Sequence, residues 1–285
     1  MKTAVLIPSH IYYHDQLDRL EKCLESVCSQ TKVPDIFVSI SFADNKYKLQ
    51  FTPILRKYPT VKFAFSPKQK FQMEHLLYLS SLVIDYDMLM FCDDDDLYHP
   101  MRVEKFIEAF KEAKDQCKKF GNQFGGVKEV KDAKMVDDPP EYWAYGIPPS
   151  LLNKFFNRIH GYEDLLCHKF ADMYLREYLF RTGIGSIAFG IILPSSPGSI
   201  MYQYTMNNPN SICERHKALV RSRQQTPDTV NSLIRDNVTL GLICNRYDLV
   251  FKQMTAASAP FSRLNDIVPN AERIKNLTNT LYKKF

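Results

Sequence analysis

Met88-Leu89-Met90-Phe91-Cys92-Asp93-Asp94-Asp95-Asp96 is an apolar run that ends in four aspartates, and Leu97-Tyr98-His99-Pro100 follows it. Residues 88–92 have the length and composition of a buried strand. Asp is poorly suited to strands, and adjacent carboxylates repel, so four together cost stability unless a cation compensates. Hard divalent ions such as Mg2+ and Mn2+ take carboxylate oxygens together with substrate phosphate oxygens. In extended chain, Asp93 and Asp95 project to one side and Asp94 and Asp96 to the other. One pair then holds a metal while the other supports it, with Asp96 near the start of a helix opened by Pro100. The bland alternative is a solvated acidic turn used only for capping.

Outward from this run, the first half alternates strand and helix. Residues 4–7 are an apolar strand closed by Pro8, and a helix follows from about Asp15, a plausible N-cap, with Leu17, Leu20, Leu24 and Val27 at helical spacing. Residues 36–40 and 61–65 read as further strands, 71–84 as a helix, and Val103, Phe106, Ile107 and Phe110 share a face of the helix after Pro100. Alternation of this kind implies a mostly parallel, Rossmann-like sheet with helices on both faces. Ligands of such sheets sit beyond the carboxyl ends of the strands. Three clusters fall there: Pro8-Ser9-His10, Ser41 to Asp44, and Asp93 to Asp96.

The second half changes character. Residues 121–135 are polar and Lys-rich and read as a strand or hairpin, with a loop at 137–140. Trp143 and Tyr145 lie in a short strand-like run, a helix is expected over 162–181, and 185–193 and 199–206 read as two strands across the turn at 194–198. After Pro227 the chain turns helical. The expected organisation is one domain over 1–225, divided at 110/111, with a C-terminal helical appendage at 226–285.

Composition narrows the function classes. The 285 residues carry a net charge of +5, with the basic residues scattered rather than massed, and no nucleic-acid module is recognisable. A small polyanionic ligand or a peripheral contact with an anionic membrane suits this charge; nucleic acid is not expected. The seven cysteines show no CxxC spacing and read as reduced thiols. The N-terminus reads as a strand rather than a signal segment, and no stretch has transmembrane length, so a cytoplasmic, soluble or peripheral protein is expected.

Phe91-Cys92-Asp93-Asp94-Asp95-Asp96-Leu97-Tyr98-His99-Pro100, followed by Arg102-Val103-Glu104-Lys105, resembles the DXD segment of GT-A-fold, family-2-like glycosyltransferases. Val5-Leu6-Ile7-Pro8-Ser9-His10 resembles their first strand, and Leu20 to Val27 with Gln30-Thr31 their first helix. The resemblance spans residues 3–110 closely and 140–215 loosely.

This resemblance implies a GT-A fold and inverting transfer of a sugar from a nucleoside diphosphate sugar, with a UDP-sugar as the expected donor, to a glycan or other hydroxyl acceptor. It implies that Pro8, Ser9, His10, Ser41 and Asp44 hold the nucleoside, with Ser41 where the family's base-reading Asp is expected. Lys68, Lys70, Gln72 and His75 occupy the region that faces the diphosphate, and Lys70 is the expected contact. Asp95 becomes the metal ligand for Mn2+ or Mg2+, Asp93 a second ligand or ribose contact, and Asp94 part of the nucleotide-sugar site.

An inverting transfer also needs a carboxylate to take the acceptor's proton. Phe170-Ala171-Asp172-Met173-Tyr174-Leu175-Arg176 resembles the family's base segment with Ala in place of its first acid, and Asp172 is the expected base. On a continuous helix Asp172 shares a face with Leu165, His168, Leu175 and Leu179; an ion pair with Arg176 is the structural alternative. Glu163 and Asp164 are the fallback pair. Trp143, the only tryptophan, is an acceptor-stacking candidate or a core residue, and His216 a candidate near the metal. Two other readings stay open. One is a nucleotidyltransferase, although the glycine-free Pro8 to Tyr13 stretch lacks such an enzyme's phosphate loop. The other is a non-catalytic nucleotide- or metal-binding protein.

Overall fold

The computed structural model describes residues 1–130, 141–160, 166–167, 171–181, 187–190 and 201–203, all within one compact unit, Met1–Met206. The expected loop at 137–140, Glu163, Asp164, the turn at 194–198, His216 and the C-terminal appendage at 226–285 lie outside the described residues.

The first half is the expected α/β alternation. β1 (Thr3–Ile11) leads through α1 (His14–Cys28) to β2 (Asp35–Phe42). α2 (Asn45–Gln50) and α3 (Thr52–Lys57) precede β3 (Lys62–Phe65), and α4 (Gln72–Leu82) precedes β4 (Met88–Phe91). The four strands are parallel, in the order β3-β2-β1-β4. The chain steps outward from β1 to β3, then returns to place β4 on the other side of β1. Right-handed crossovers therefore put α1 and α4 on opposite faces. The reversal between β1 and β4 creates a crevice beyond their carboxyl ends, where the four aspartates emerge.

β1 sits at the centre, with Val5, Leu6 and Ile7 wholly buried. Burial of such side chains contributes about 1.5–3 kcal/mol each. Pro8 does not close this strand, as its lack of an N–H suggested; β1 runs on to Ile11. Leu6 accepts a bond from Cys92 N–H on the β4 side, whereas Ile11 accepts from Ala43 on the β2 side. By strand alternation Pro8 faces the β4 side, two residues past the last β1–β4 pair, Leu6 with Phe91, where no donor is needed. Asp15 is likewise not the N-cap of α1. Tyr13 is, and the Gln16 side chain accepts the N–H groups of Tyr12 and Tyr13 at 2.7 and 3.0 Å.

β5 (Leu97–Tyr98) comes next, followed by α5 (Arg102–Phe120), which Gly121 ends at φ 70°. β6 (Val127–Val130), β7 (Tyr145–Gly146), α6 (Pro149–Ile159), α7 (Asp172–Arg181), β8 (Ile187–Gly190) and β9 (Tyr202–Gln203) follow. β6 lies between β7 and β8, and β9 pairs antiparallel with β5.

Three expectations change here, and one helix is added. Among the described residues, the strands expected over 185–193 and 199–206 pair elsewhere, β8 with β6 and β9 with β5. Tyr142–Ala144, including Trp143, forms a 3-10 turn rather than a strand. The helix expected over 162–181 starts at Asp172, since Leu166 and Cys167 are in a turn. α6 was not foreseen: Pro149 occupies its first turn, where a missing N–H is harmless, and Leu152, Phe155, Phe156 and Ile159 form its buried stripe. Cys23, Cys28 and Cys92 are free thiols. Among the described residues, no helix is long and apolar enough to cross a membrane.

Candidate active site

The acidic run does not stay extended. Asp96 N–H bonds to Asp93 C=O at 3.2 Å, closing a turn that undoes the two-sided alternation expected of the aspartates. Each carboxylate therefore has its own surroundings. Asp93 Oδ1 accepts from Gln72 Nε2 at 2.7 Å and from the Tyr142 hydroxyl, while Gln72 also donates to the Tyr142 oxygen at 2.9 Å. Asp93 N–H donates to the Tyr202 hydroxyl at 2.9 Å. Asp94 accepts from Ser9 Oγ at 2.6 Å. Asp96 is fully buried beneath the turn.

Burial, together with the neighbouring Asp96, Asp95 and Asp172 charges, pushes the Asp93 carboxyl well above the usual carboxylate range, against the Tyr142 hydrogen bond. Burial and the Asp95 charge push Asp94 up to about 7, against the Ser9 bond. Such a cluster is short of positive charge, and a divalent cation relieves that shortage. Asp93 and Asp95 offer hard oxygens of the type Mg2+ and Mn2+ prefer. Those ions take one or two carboxylates and draw further ligands from phosphate and water. Among the described residues no three His, Cys, Asp or Glu side chains form a cage of their own. The donor set therefore fits a cation completed by a phosphorylated ligand.

Asp172 opens α7, which packs on the 3-10 turn carrying Tyr142. It is half-buried, and its charge bears on both Asp93 and Tyr142. The fold thus brings the second-half carboxylate to the acidic turn. The reason differs from the expected continuous stripe: Asp172 stands at a helix start, where backbone N–H groups favour negative charge. Arg176 is engaged by Glu141 at 3.1 Å.

Behind the turn lies an aromatic wall. Trp143 stacks on Tyr202, with ring centroids 3.9 Å apart and planes at 6°, and is 9% exposed. One indole face is therefore taken, and Trp143 packs as a wall residue rather than as an open platform. The buried Arg102 guanidinium lies 4.4 Å from the Tyr98 ring centroid and 4.9 Å from that of Tyr202. It also pairs with the equally buried Glu129 at 2.9 Å and donates to Trp143 C=O at 3.0 Å. Glu129 in turn accepts the Met201 N–H, tying β6 to the approach of β9.

At the ends of β1 and β2, the expected nucleoside residues separate into groups. Pro8, Ser9 and Ser41 are buried, Ser9 being spent on Asp94. Ser41 Oγ lies 2.6 Å from His10 Nδ1 and 3.0 Å from His75 Nε2, and accepts Lys70 N–H at 3.4 Å. Ser39 Oγ lies 2.7 Å from His75 Nδ1. Burial holds His10 down at about 4 and His75 at about 3, so both are neutral at neutral pH. The Asp44 side chain caps α2 by accepting Lys46 N–H at 2.8 Å. The Lys70 ammonium lies 5.2 Å from the Tyr78 ring centroid. Lys68 accepts a bond from Ser66 through its carbonyl at 2.7 Å.

The sequence reading missed Tyr142, Tyr202 and the Arg102–Glu129 pair. The only local hint was the charged residue inside the alternation of Val127-Lys128-Glu129-Val130.

Residues 5–179 match the profile of Glycosyl transferase family 2. No curated protein matches the chain significantly. Among solved structures, the chain is similar to S. aureus TarS 1-349 in complex with UDP, at 14% identity and TM-score 0.48, covering 100% of this chain and 92% of that one. It is similar to S. aureus TarS at 13% identity and TM-score 0.44, covering 93% of this chain but only 45% of that one. The complex of TarS 1-349 with UDP-GlcNAc aligns at 13% identity and TM-score 0.42, covering 88% of this chain and 84% of that one.

Proposed function

The chain belongs to glycosyl transferase family 2, and from that premise we propose that it moves a sugar from a nucleoside diphosphate sugar, a UDP-sugar, to an acceptor hydroxyl with inversion. Mn2+ or Mg2+ is held through Asp95 and Asp93, and Asp172 is the general base. One observation supports this above others. The Asp93 carboxylate, clamped by Gln72 and Tyr142 at the β1/β4 crevice, lies within the electrostatic reach of Asp172 from the second half of the chain.

The bound cation supplies charge stabilisation for the leaving diphosphate. The chain's own residues do the rest. Gln72 and Tyr142 fix the orientation of Asp93, and Ser9 fixes Asp94. The acceptor oxygen attacks the anomeric carbon opposite the phosphate, the carbon–oxygen bond to phosphate breaks, and the nucleoside diphosphate leaves with the electron pair. The acceptor's proton passes to an Asp172 oxygen. The aromatic wall of Tyr142, Trp143 and Tyr202 keeps water from one side of the site. In this division residues 1–110 serve the donor and 111–225 the acceptor.

The test is product analysis after incubation with a panel of nucleotide sugars and Mn2+. Glycosyl transfer yields nucleoside diphosphate and free or transferred sugar, lost on chelation. Pyrophosphate as product would instead indicate nucleotidyl transfer, and binding without turnover a non-catalytic protein; either overturns the proposal.

A further inference from the structure

Ser39, His75, Ser41 and His10 form a continuous chain of hydrogen bonds from the interior of β2 to the end of β1. Each link comes from a separate feature of the fold. Ser39 and Ser41 alternate onto one face of β2, His10 is the register partner of Ser41 on β1, and His75 descends from α4 between the two serines. Ser39 is 1% exposed, Ser41 0% and His75 1%. Three of its four members are thus closed to solvent, and His10 at its end is half-buried.

We propose that this relay has one direction, fixed by Ser39, and that it presents His10 Nε2–H as a donor that reads a carbonyl oxygen on the donor nucleotide's base, favouring uracil over cytosine.

The direction follows from proton counting. Both imidazoles are neutral, so each carries one ring proton. Among the described residues, the single hydrogen-bond partner of Ser39 Oγ is His75 Nδ1. If His75 donated there, the buried Ser39 hydroxyl proton would have no acceptor, an arrangement interiors avoid. Ser39 therefore donates to His75 Nδ1, which places the His75 proton on Nε2, donating to Ser41. Ser41 Oγ then accepts from His75 and from Lys70 N–H and gives its own proton to His10 Nδ1. Every atom of the relay is satisfied up to its last member. There the proton sits on His10 Nε2, a buried atom with no hydrogen-bond partner among the described residues. The Tyr12 ring, 37% exposed, stands against the His10 ring at 4.1 Å between centroids. A base reaches Nε2 by taking the place of that ring.

A fixed N–H donor discriminates by chemistry. It donates to the 4-carbonyl of uracil and opposes the 4-amino group of cytosine, because two donors cannot bond one another. Ser41, where an acidic side chain was expected to read the base, acts instead through His10. His75 is a positioning residue that touches no substrate.

The inference rests on the nucleotide-sugar reading above, and two readouts separate them. Calorimetry of the wild-type protein with UDP and with CDP, each with Mn2+, tests nucleotide binding itself. Nitrogen-15 histidine spectra of the same protein report the tautomers directly, with no variant required. The expected result is Nε2–H for both His10 and His75, a His10 Nε2 signal that shifts on adding UDP, and UDP bound at least about tenfold tighter than CDP. In Ser39→Ala the tautomers mix and this preference falls to about threefold or less, while Ser39→Thr, which keeps the hydroxyl, retains it. An Nδ1–H tautomer at either histidine overturns the relay, as does UDP binding that leaves the His10 signal unmoved, equal affinity for CDP, or an unchanged preference in Ser39→Ala. Failure of both nucleotides to bind the wild-type protein instead removes the nucleotide-sugar reading, and base recognition with it.

Discussion

The Tyr142 hydroxyl donates to the Asp93 carboxylate, joining the 3-10 turn before β7 to the turn that ends β4 across 49 residues of chain. Gln72 closes the triangle from the first residue of α4. A hydrogen bond to a charged group contributes about 1.5–3 kcal/mol. Tyr142→Phe is therefore expected to keep the fold and to lower turnover roughly tenfold to a hundredfold, with a raised Mn2+ requirement. Initial rates across a Mn2+ titration measure this, and an unchanged metal dependence would separate Tyr142 from the cation site.

Asp94 gives a pH prediction with a definite sign. Its folded value, about 7, lies above its ordinary 3.8, so the stability it contributes is complete below 3.8 and lost as pH rises through 7. Asp94→Asn keeps an oxygen for Ser9 and removes the charge. In metal-free buffer it is expected to stabilise the protein by about 2–4 kcal/mol at pH 8 and by little at pH 4. Thermal melts at the two pH values decide it, and added Mn2+ shrinks the gap at pH 8.

His75 acts in the opposite direction. Its folded value, about 3, lies below its ordinary 6.5. The folded state binds fewer protons between those values, so stability is complete above 6.5 and falls as pH drops toward 3, by on the order of 4 kcal/mol. His75→Gln retains hydrogen-bonding capacity without titrating. Its denaturant midpoint is expected to fall less steeply than wild type between pH 6.5 and 4.

The Arg102–Glu129 pair is wholly buried. Removing one partner of such a pair leaves a charge without compensation and costs about 3–5 kcal/mol. Glu129→Ala is expected to lose that much in urea unfolding and to loosen the Met201 connection as well. A loss under 1 kcal/mol would show that water reaches Arg102 readily.

Sequence patterns made β1, β2, β4, α1, α4 and α5 legible because their apolar spacing is local. The crevice was legible too, since strand ends can be read once alternation is recognised. What escaped was decided by partners distant in the chain. Glu129 looks polar until Arg102 is placed beside it, and His75 looks like a phosphate neighbour until Ser39 and Ser41 bracket it. The i to i+3 bond from Asp96 to Asp93 turned four apparently alternating carboxylates into four different sites. Pro148-Pro149 reads as a stop, yet Pro149 begins α6. Asp172 was found on a resemblance, but its helix starts at the residue itself.

The most direct test of the central claim pairs Asp172→Asn with the wild-type enzyme, measuring nucleoside diphosphate release from a UDP-sugar with Mn2+ and an acceptor, alongside UDP affinity. The account predicts UDP binding within about twofold of wild type and transfer reduced by at least about a hundredfold. Transfer by Asp172→Asn at the wild-type rate, with UDP still bound, would contradict it.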